Sequence, residues 1–142
     1  MRLLFLLLSG FPVARAQFDD GYLGNRWGTP LTLMEQKFEL KLSLQRGRAQ
    51  QYRSNVETIG GVQLSSCDFE FTSGKFTGVI LLTRDRANSH RLLALLRKTY
   101  GEGREDDTLG YQWFNKRTHV SYDEGRDGDA YVYLYCLTLA GM

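Results

Sequence analysis

Two long apolar stretches joined by a glycine-containing turn constrain the fold of this chain more than any other feature. Residues 62–71 and 75–83 are rich in β-branched and aromatic side chains, and they flank the short segment Thr72-Ser73-Gly74. Glycine readily adopts the positive φ that a tight turn between antiparallel strands requires. The pattern therefore predicts a β-hairpin in the middle of the chain.

A short helix is predicted ahead of this hairpin. Pro30 suits the first position of a helix, and Thr29 before it can act as the cap. The apolar residues that follow at helical spacing are Leu31, Met34 and Phe38. The period then changes to two, which predicts a strand over residues 40–45 and its partner over residues 48–53. A longer helix running through Leu44 is the alternative.

A second helix and three more strands are predicted after the hairpin. Asn88 or Ser89 can cap this helix, and Gly101 can end it just after Tyr100. The three strands are expected over residues 111–114, 117–122 and 130–139. The predicted fold class is therefore α+β, with two helices packed on a bent antiparallel sheet of about six to seven strands in the order α-ββββ-α-βββ.

The first sixteen residues have the pattern of a secretory signal peptide. Arg2 gives a positive start, residues 3–8 form an apolar run, and Ala14-Arg15-Ala16 offers the small-x-small site that signal peptidases cut. The apolar run is too short for a membrane-spanning helix. We expect residues 17–142 to form one domain that is periplasmic or secreted, with no stable membrane insertion once the leader is removed.

Removal of the leader would balance the charge of the chain. The sequence has 18 basic and 16 acidic residues, and two of the basic ones, Arg2 and Arg15, lie in the leader. The remaining domain has no basic excess, so nucleic acid is not expected as a partner.

Short motifs spread over most of the domain resemble those of small exported bacterial proteins of unknown function. The motifs are Trp27-Gly28-Thr29-Pro30, Ile59-Gly60-Gly61-Val62, Phe76-x-Gly78-Val79, Tyr100-Gly101 and Tyr111-x-Trp113. The layout is also similar to the helix-plus-meander modules of outer-membrane assembly lipoproteins and of β-lactamase-inhibitor-like proteins. This resemblance implies contact with other proteins and not catalysis. The chain lacks the lipid-accepting cysteine of the lipoproteins, so the resemblance implies no membrane attachment.

The two cysteines are both predicted to face an apolar layer. Cys67 is expected on the same strand face as Phe69 and Phe71, and Cys136 on the same strand face as Leu134. In an oxidising compartment a single disulfide between them is the preferred interpretation, and two buried free thiols are the alternative.

No set of residues forms a coherent catalytic or metal-binding pattern. The two histidines, His90 and His119, and two cysteines at unsuitable spacings are too few for a zinc site. Carboxylates cluster at residues 102–107 and 123–129, but the second cluster has Leu134 where a calcium-binding EF-hand loop has glutamate. We therefore expect no enzyme, no metal and no cofactor, and we interpret both clusters as solvated turns.

A row of tyrosines is the most suggestive candidate site. Tyr131, Tyr133 and Tyr135 share one face of a predicted strand, and Tyr111 and Trp113 share a face of another strand in the same meander. An open row would suit stacking against a peptide or sugar, whereas a row covered by a helix would form the edge of the core. Partial or full cover is the preferred interpretation.

These features predict a non-enzymatic periplasmic or secreted binding module that recognises a protein or an envelope component. An inhibitor of an extracytoplasmic hydrolase is one alternative. A small hydrolase that uses the acidic turns is the other, and it requires a cleft where those carboxylates converge.

Overall fold

The chain folds mainly as β-structure. The computed structural model describes residues 20–106 and 110–138, of which 52% lie in strands and 16% in helices. The predicted signal peptide over residues 1–16 and the end of the predicted last strand lie outside the described residues. Neither helix in the described part of the chain has the length and apolar character needed to cross a membrane.

Twelve strands and two helices are found in the described residues. Along the described residues the elements are β1 (Gly21–Tyr22), β2 (Asn25–Arg26), α1 (Leu31–Met34), β3 (Leu40–Arg46), β4 (Ala49–Ser54), β5 (Thr58–Ile59), β6 (Val62–Gln63), β7 (Ser66–Thr72), β8 (Lys75–Thr83), α2 (Arg86–Tyr100), β9 (Arg104–Glu105), β10 (Gly110–Asn115), β11 (Thr118–Glu124) and β12 (Ala130–Cys136).

Eight of these strands form one antiparallel sheet in the order β3-β4-β7-β8-β12-β11-β10-β9. The hairpins β1–β2 and β5–β6 are separate two-stranded sheets. The predicted central hairpin is confirmed as β7–β8, with Ser73 at φ 51° and Gly74 at φ 77° in its turn. Positive φ at both turn positions matches the twist of the flanking strands.

The predicted α+β class, with two helices on six to seven strands, is wrong. The first helix, α1, is a single turn of four residues, and Pro30 before it offers no side-chain cap. Backbone bonds tie this segment to the sheet instead, since Leu31 N donates to the Gly74 carbonyl at 2.9 Å. A helix this short has no stability of its own, so tertiary contacts decide where it ends.

The additional strands come from segments without a visible period. Residues 18–27 show no clear pattern, yet they include β1 and β2, and the polar loop expected after α2 contains β9. Strands of two residues are too short for alternation to be recognised in a sequence. The sheet therefore has one strand more than predicted, and the fold also contains two small hairpins that were not predicted.

The hydrophobic core lies on one side of the large sheet, which we call the core face. Leu92 and Leu96 of α2 pack there, together with Trp27 and with Met34 of α1. Trp27 Nε1 donates a hydrogen bond to Thr118 Oγ1 at 2.8 Å, so the buried indole nitrogen is satisfied.

Helix α2 is fastened to the sheet by Ser89. Its hydroxyl donates to the Gly128 carbonyl at 2.5 Å and accepts from Thr83 Oγ1 at 2.6 Å. The helix begins earlier than predicted because Asp85, and not Asn88 or Ser89, accepts the capping bond, from Asn88 N at 2.8 Å. Gly101 ends the helix as expected.

The predicted disulfide is absent, and both cysteines are free and buried. Cys67 pairs with Leu81 of β8, and Leu81 pairs with Val132 of β12, so β8 separates the two cysteine strands. Val132 is four residues before Cys136, which adds about 13 Å along the strand. Disulfide bonds need Cα atoms within about 7 Å, so sharing the core face does not bring these thiols together.

Candidate functional site

The side of the large sheet opposite the core face has neither helix upon it, because α2 and residues 27–34 pack on the core face. We call this side the open face. From the strand register its residues include Gln51, Arg53, Ser66, Asp68, Glu70, Gly78, Ile80, Leu82, Gln112, Phe114, His119, Ser121, Asp123, Tyr131, Tyr133 and Tyr135, with Lys41 and Leu44 on β3.

Three of the predicted site residues lie on the open face. Tyr131 is 43% exposed, and Tyr133 and Tyr135 are half-buried beside it with ring centroids 4.7 Å apart. No helix of the described residues covers them, although side chains of neighbouring strands bury them in part. The row therefore has a surface that a partner can reach.

The other two predicted site residues lie on the core face. Trp113 is 4% exposed and donates from Nε1 to the Gly101 carbonyl at 2.8 Å. Tyr111 lies under the Arg97 guanidinium, 4.6 Å from its ring centroid. Alternation within β10 and β12 shows which residues share a strand face, but only the register through β11 shows that these faces are opposite.

Two further aromatic rings extend the tyrosine row across the sheet. Phe114, which is 63% exposed, stacks on His119 with centroids 4.3 Å apart and an interplanar angle of 11°. His119 Nδ1 lies 2.5 Å from the Tyr135 hydroxyl, and its Nε2 lies 3.0 Å from Gln112 Oε1. An amide oxygen can only accept, so Nε2 carries the proton and Nδ1 accepts from Tyr135.

The surroundings of His119 disfavour the charged form of its imidazole. Partial burial lowers its pKa, since the charged form loses hydration there. The alternation in β11 places His119 opposite the buried set of Thr118, Val120 and Tyr122, but only the register with β12 places it beside Tyr135.

The carboxylates of β7 lie beneath this row. The Asp68 carboxylate accepts from Gln51 Nε2 at 2.7 Å and forms a short ion pair with Arg53. Burial, together with the neighbouring Glu70 carboxylate, raises the pKa of Tyr133 well above its ordinary value.

Gly78 makes room for the contact between Glu70 and Tyr133. A Cβ at this position would lie 2.9 Å from Glu70 Oε1 and 3.1 Å from Tyr133 Cε1. Both distances are shorter than ordinary van der Waals contacts between such atoms. The glycine in the Phe76-x-Gly78-Val79 motif is therefore explained by close approach on the open face.

Two hollows open on either side of Tyr131. The larger hollow, of about 470 Å³, has a mixed-charge lining that includes Arg53, Arg84, Asp123, Glu124 and Asp129. The Ser66 hydroxyl at its floor is buried and has no hydrogen-bond partner within the described residues. The smaller hollow, of about 200 Å³, is lined by Leu44, Arg46, Gln51, Glu70, Ile80, Tyr131 and Tyr133, with Ala49 and Gln50.

One carboxylate from each predicted acidic cluster meets at Gly110. A Cβ on this glycine would lie 2.6 Å from Asp106 Oδ2 and 2.8 Å from Asp123 Oδ1. Burial and the charge of Asp106 raise the pKa of Asp123. Across residues 20–106 and 110–138, no three histidine, cysteine, aspartate or glutamate side chains are grouped closely enough to hold a metal ion.

Comparison with known proteins returned no match, since no family model, no curated protein and no solved structure is significantly similar to the chain. The resemblance to small exported proteins stays a prediction. The open face must therefore be interpreted from its own geometry.

Proposed function

We propose that this protein is a non-enzymatic binding module, exported to the periplasm or secreted, which recognises a protein or an envelope component through its open face. The observation that carries the proposal is the row formed by Tyr131, Tyr133 and Tyr135 on a sheet face that lacks a helix. Aromatic side chains on an accessible face supply contact area and a polar hydroxyl at once.

The row is suited to binding because its rings are already oriented. Tyr135 is held by its hydrogen bond to His119, and the Tyr133 ring packs against Tyr135 with centroids 4.7 Å apart. Tyrosines that are fixed before binding lose little conformational entropy when a partner covers them. The hollows beside Tyr131 provide concave sites, which a flat sheet lacks.

Replacing one tyrosine on each face tests the proposal. Tyr133→Ala should weaken capture of envelope components by the immobilised mature protein. Tyr111→Ala is the matched control, since Tyr111 is also a half-buried tyrosine but lies on the core face. Thermal unfolding checks that both variants are folded. Unchanged capture by a folded Tyr133→Ala variant would exclude the row as the binding surface.

The alternative of an inhibitor fits within the same proposal. In that case the partner is a hydrolase, and adding the mature protein should lower the rate of that hydrolase. Tyr133→Ala should relieve the inhibition, whereas Tyr111→Ala should not.

A second candidate function is a small hydrolase, and the pair Asp106 and Asp123 is the observation that favours it. Two carboxylates close together, one with a raised pKa, can act as an acid and a base. The test is turnover of aryl glycosides by the mature protein and by Asp123→Asn. Activity that disappears in the variant would support an enzyme, and absence of turnover in both would leave the binding module as the better account.

A further inference from the structure

The two carboxylates of β7 on the open face differ in whether a cation of the protein compensates their charge. Asp68 is buried and its charge is compensated by Arg53. Glu70 is half-buried, and within the described residues no lysine or arginine forms an ion pair with it. Its Oε1 is enclosed and has no hydrogen-bond partner in the same part of the chain. A carboxylate in this state is costly, and a cation from a ligand would compensate it.

Carboxylates lie near the tyrosine row. Burial raises the pKa of Tyr131, and so do the carboxylates of Glu70, Asp68 and Asp123. Arg53 compensates the charge of Asp68. Glu70 is therefore the carboxylate of β7 whose charge is left to attract a positively charged ligand.

The smaller hollow has the walls that a long cationic side chain needs. Tyr131 and Tyr133 offer aromatic surfaces, against which a planar guanidinium stacks. Leu44 and Ile80 offer apolar surface for the methylene groups of the side chain. Arg46 is exposed and also lines the hollow, so its charge opposes a cationic ligand.

We propose that the smaller hollow takes an arginine side chain of the partner, which is a protein with an exposed arginine, and that Glu70 is its counter-ion. The inference rests on the binding function proposed above and names the chemistry of the partner. The larger hollow is the weaker choice for a cation, because Arg53 and Arg84 line it beside its carboxylates.

A pair of peptides that differ only in charge tests the proposal. The probes are acetyl-Gly-Gly-Arg-Gly-Gly-amide and the same peptide with citrulline, which keeps the shape of arginine but is neutral. Binding is followed by NMR of ring-labelled tyrosines in the mature protein at low ionic strength. The arginine peptide should shift the Tyr131 and Tyr133 signals, whereas the buried rings of Tyr22 and Tyr122 should not move.

Charge variants of the protein locate the counter-ion. Glu70→Gln keeps the shape of the side chain but removes its charge, and it should weaken binding of the arginine peptide by about tenfold, as expected for one charge-assisted hydrogen bond. Asp127→Asn removes an equal charge from the exposed β11–β12 turn and should leave the affinity unchanged. Arg46→Ala should tighten binding, since it removes the opposing cation.

Three outcomes would overturn the assignment: equal binding of the citrulline peptide, unchanged binding by Glu70→Gln, or weaker binding by Arg46→Ala. Envelope capture separates this failure from that of the proposed function. Capture that is lost in Tyr133→Ala but kept in Glu70→Gln would overturn the arginine site and leave the binding function standing. Capture kept in Tyr133→Ala would overturn both.

Discussion

At the residue scale, the clearest structural constraint on the open face is Gly78. Gly78→Ala places a methyl group against Glu70 Oε1 and Tyr133 Cε1, and 3.2 Å from the carbonyl oxygen of Leu134. The backbone oxygen cannot move without disturbing β12, so we expect a loss of about 1–3 kcal/mol in the free energy of unfolding. Urea denaturation measures this loss in the free energy of unfolding.

Gly125→Ala is the control for this variant. Its Cβ would meet only the Asp127 carboxylate, at 3.2 Å, and the more distant carbonyl oxygen of Asp129. We expect a change within about 0.5 kcal/mol, as for an ordinary surface substitution. Equal effects at the two glycines would contradict the close packing assigned to Gly78.

The cysteines give a second prediction for single residues. Cys67 and Cys136 are both 0% exposed, and burial contributes most to raising the pKa of Cys67 to about 11. The reactive thiolate is therefore scarce near neutral pH. A thiol reagent should modify neither cysteine in the folded protein and both after denaturation. A disulfide detected by mass spectrometry in the folded protein would contradict the arrangement of β7, β8 and β12.

At the scale of elements, Ser89 fastens α2 to the sheet. Ser89→Ala would leave Thr83 Oγ1 and the Gly128 carbonyl without their present partner, and we expect a loss of about 1–3 kcal/mol. Alanine is the better helix former, so helix propensity acts in the opposite direction. Chemical denaturation of this variant and of the unchanged protein measures the net of the two effects. A Ser89→Ala variant as stable as the unchanged protein would show that the contact is dispensable.

The elements that could be predicted are those with a long enough period. In the β7–β8 hairpin, in α2 and in the strands of the final meander, the apolar pattern repeats several times. The length of the helix after Pro30 could not be predicted in the same way. Leu31, Met34 and Phe38 have helical spacing, but the helix has only one turn because backbone hydrogen bonds tie this segment to the β7–β8 turn.

At the scale of the whole molecule, the candidate site could be predicted only in part. Tyr131, Tyr133 and Tyr135 were found because they alternate within one strand. Tyr111 and Trp113 lie on the opposite face of the sheet, which a shared parity within each strand does not reveal. Glu70 was missed because its contact with Tyr133 crosses β8, and no local pattern marks such a pair.

Several buried ionisable groups make the stability of the whole molecule depend on alkaline pH. Burial raises the pKa of Tyr22, Tyr122 and Tyr133 above the ordinary value of 10.0, and that of Cys67 to about 11 from 9.0. The unfolded chain loses these protons first, so stability is complete below about pH 9 and falls as the pH rises further.

Urea denaturation at pH values from about 8 to about 11 measures this fall in the free energy of unfolding. Tyr133→Phe should show a shallower dependence, since it removes one of the groups. A free energy that stays constant over this range would contradict the burial assigned to these side chains.

The central claim is that the tyrosine row lies on an accessible face while the opposite face forms the core. The most direct test is NMR of the ring-labelled protein with a soluble paramagnetic probe that broadens accessible signals. The account predicts strong broadening for Tyr131, intermediate broadening for Tyr133 and Tyr135, and little for Tyr22 and Tyr122. Equal protection of Tyr131 and Tyr22 would show that the open face is covered and would contradict the claim.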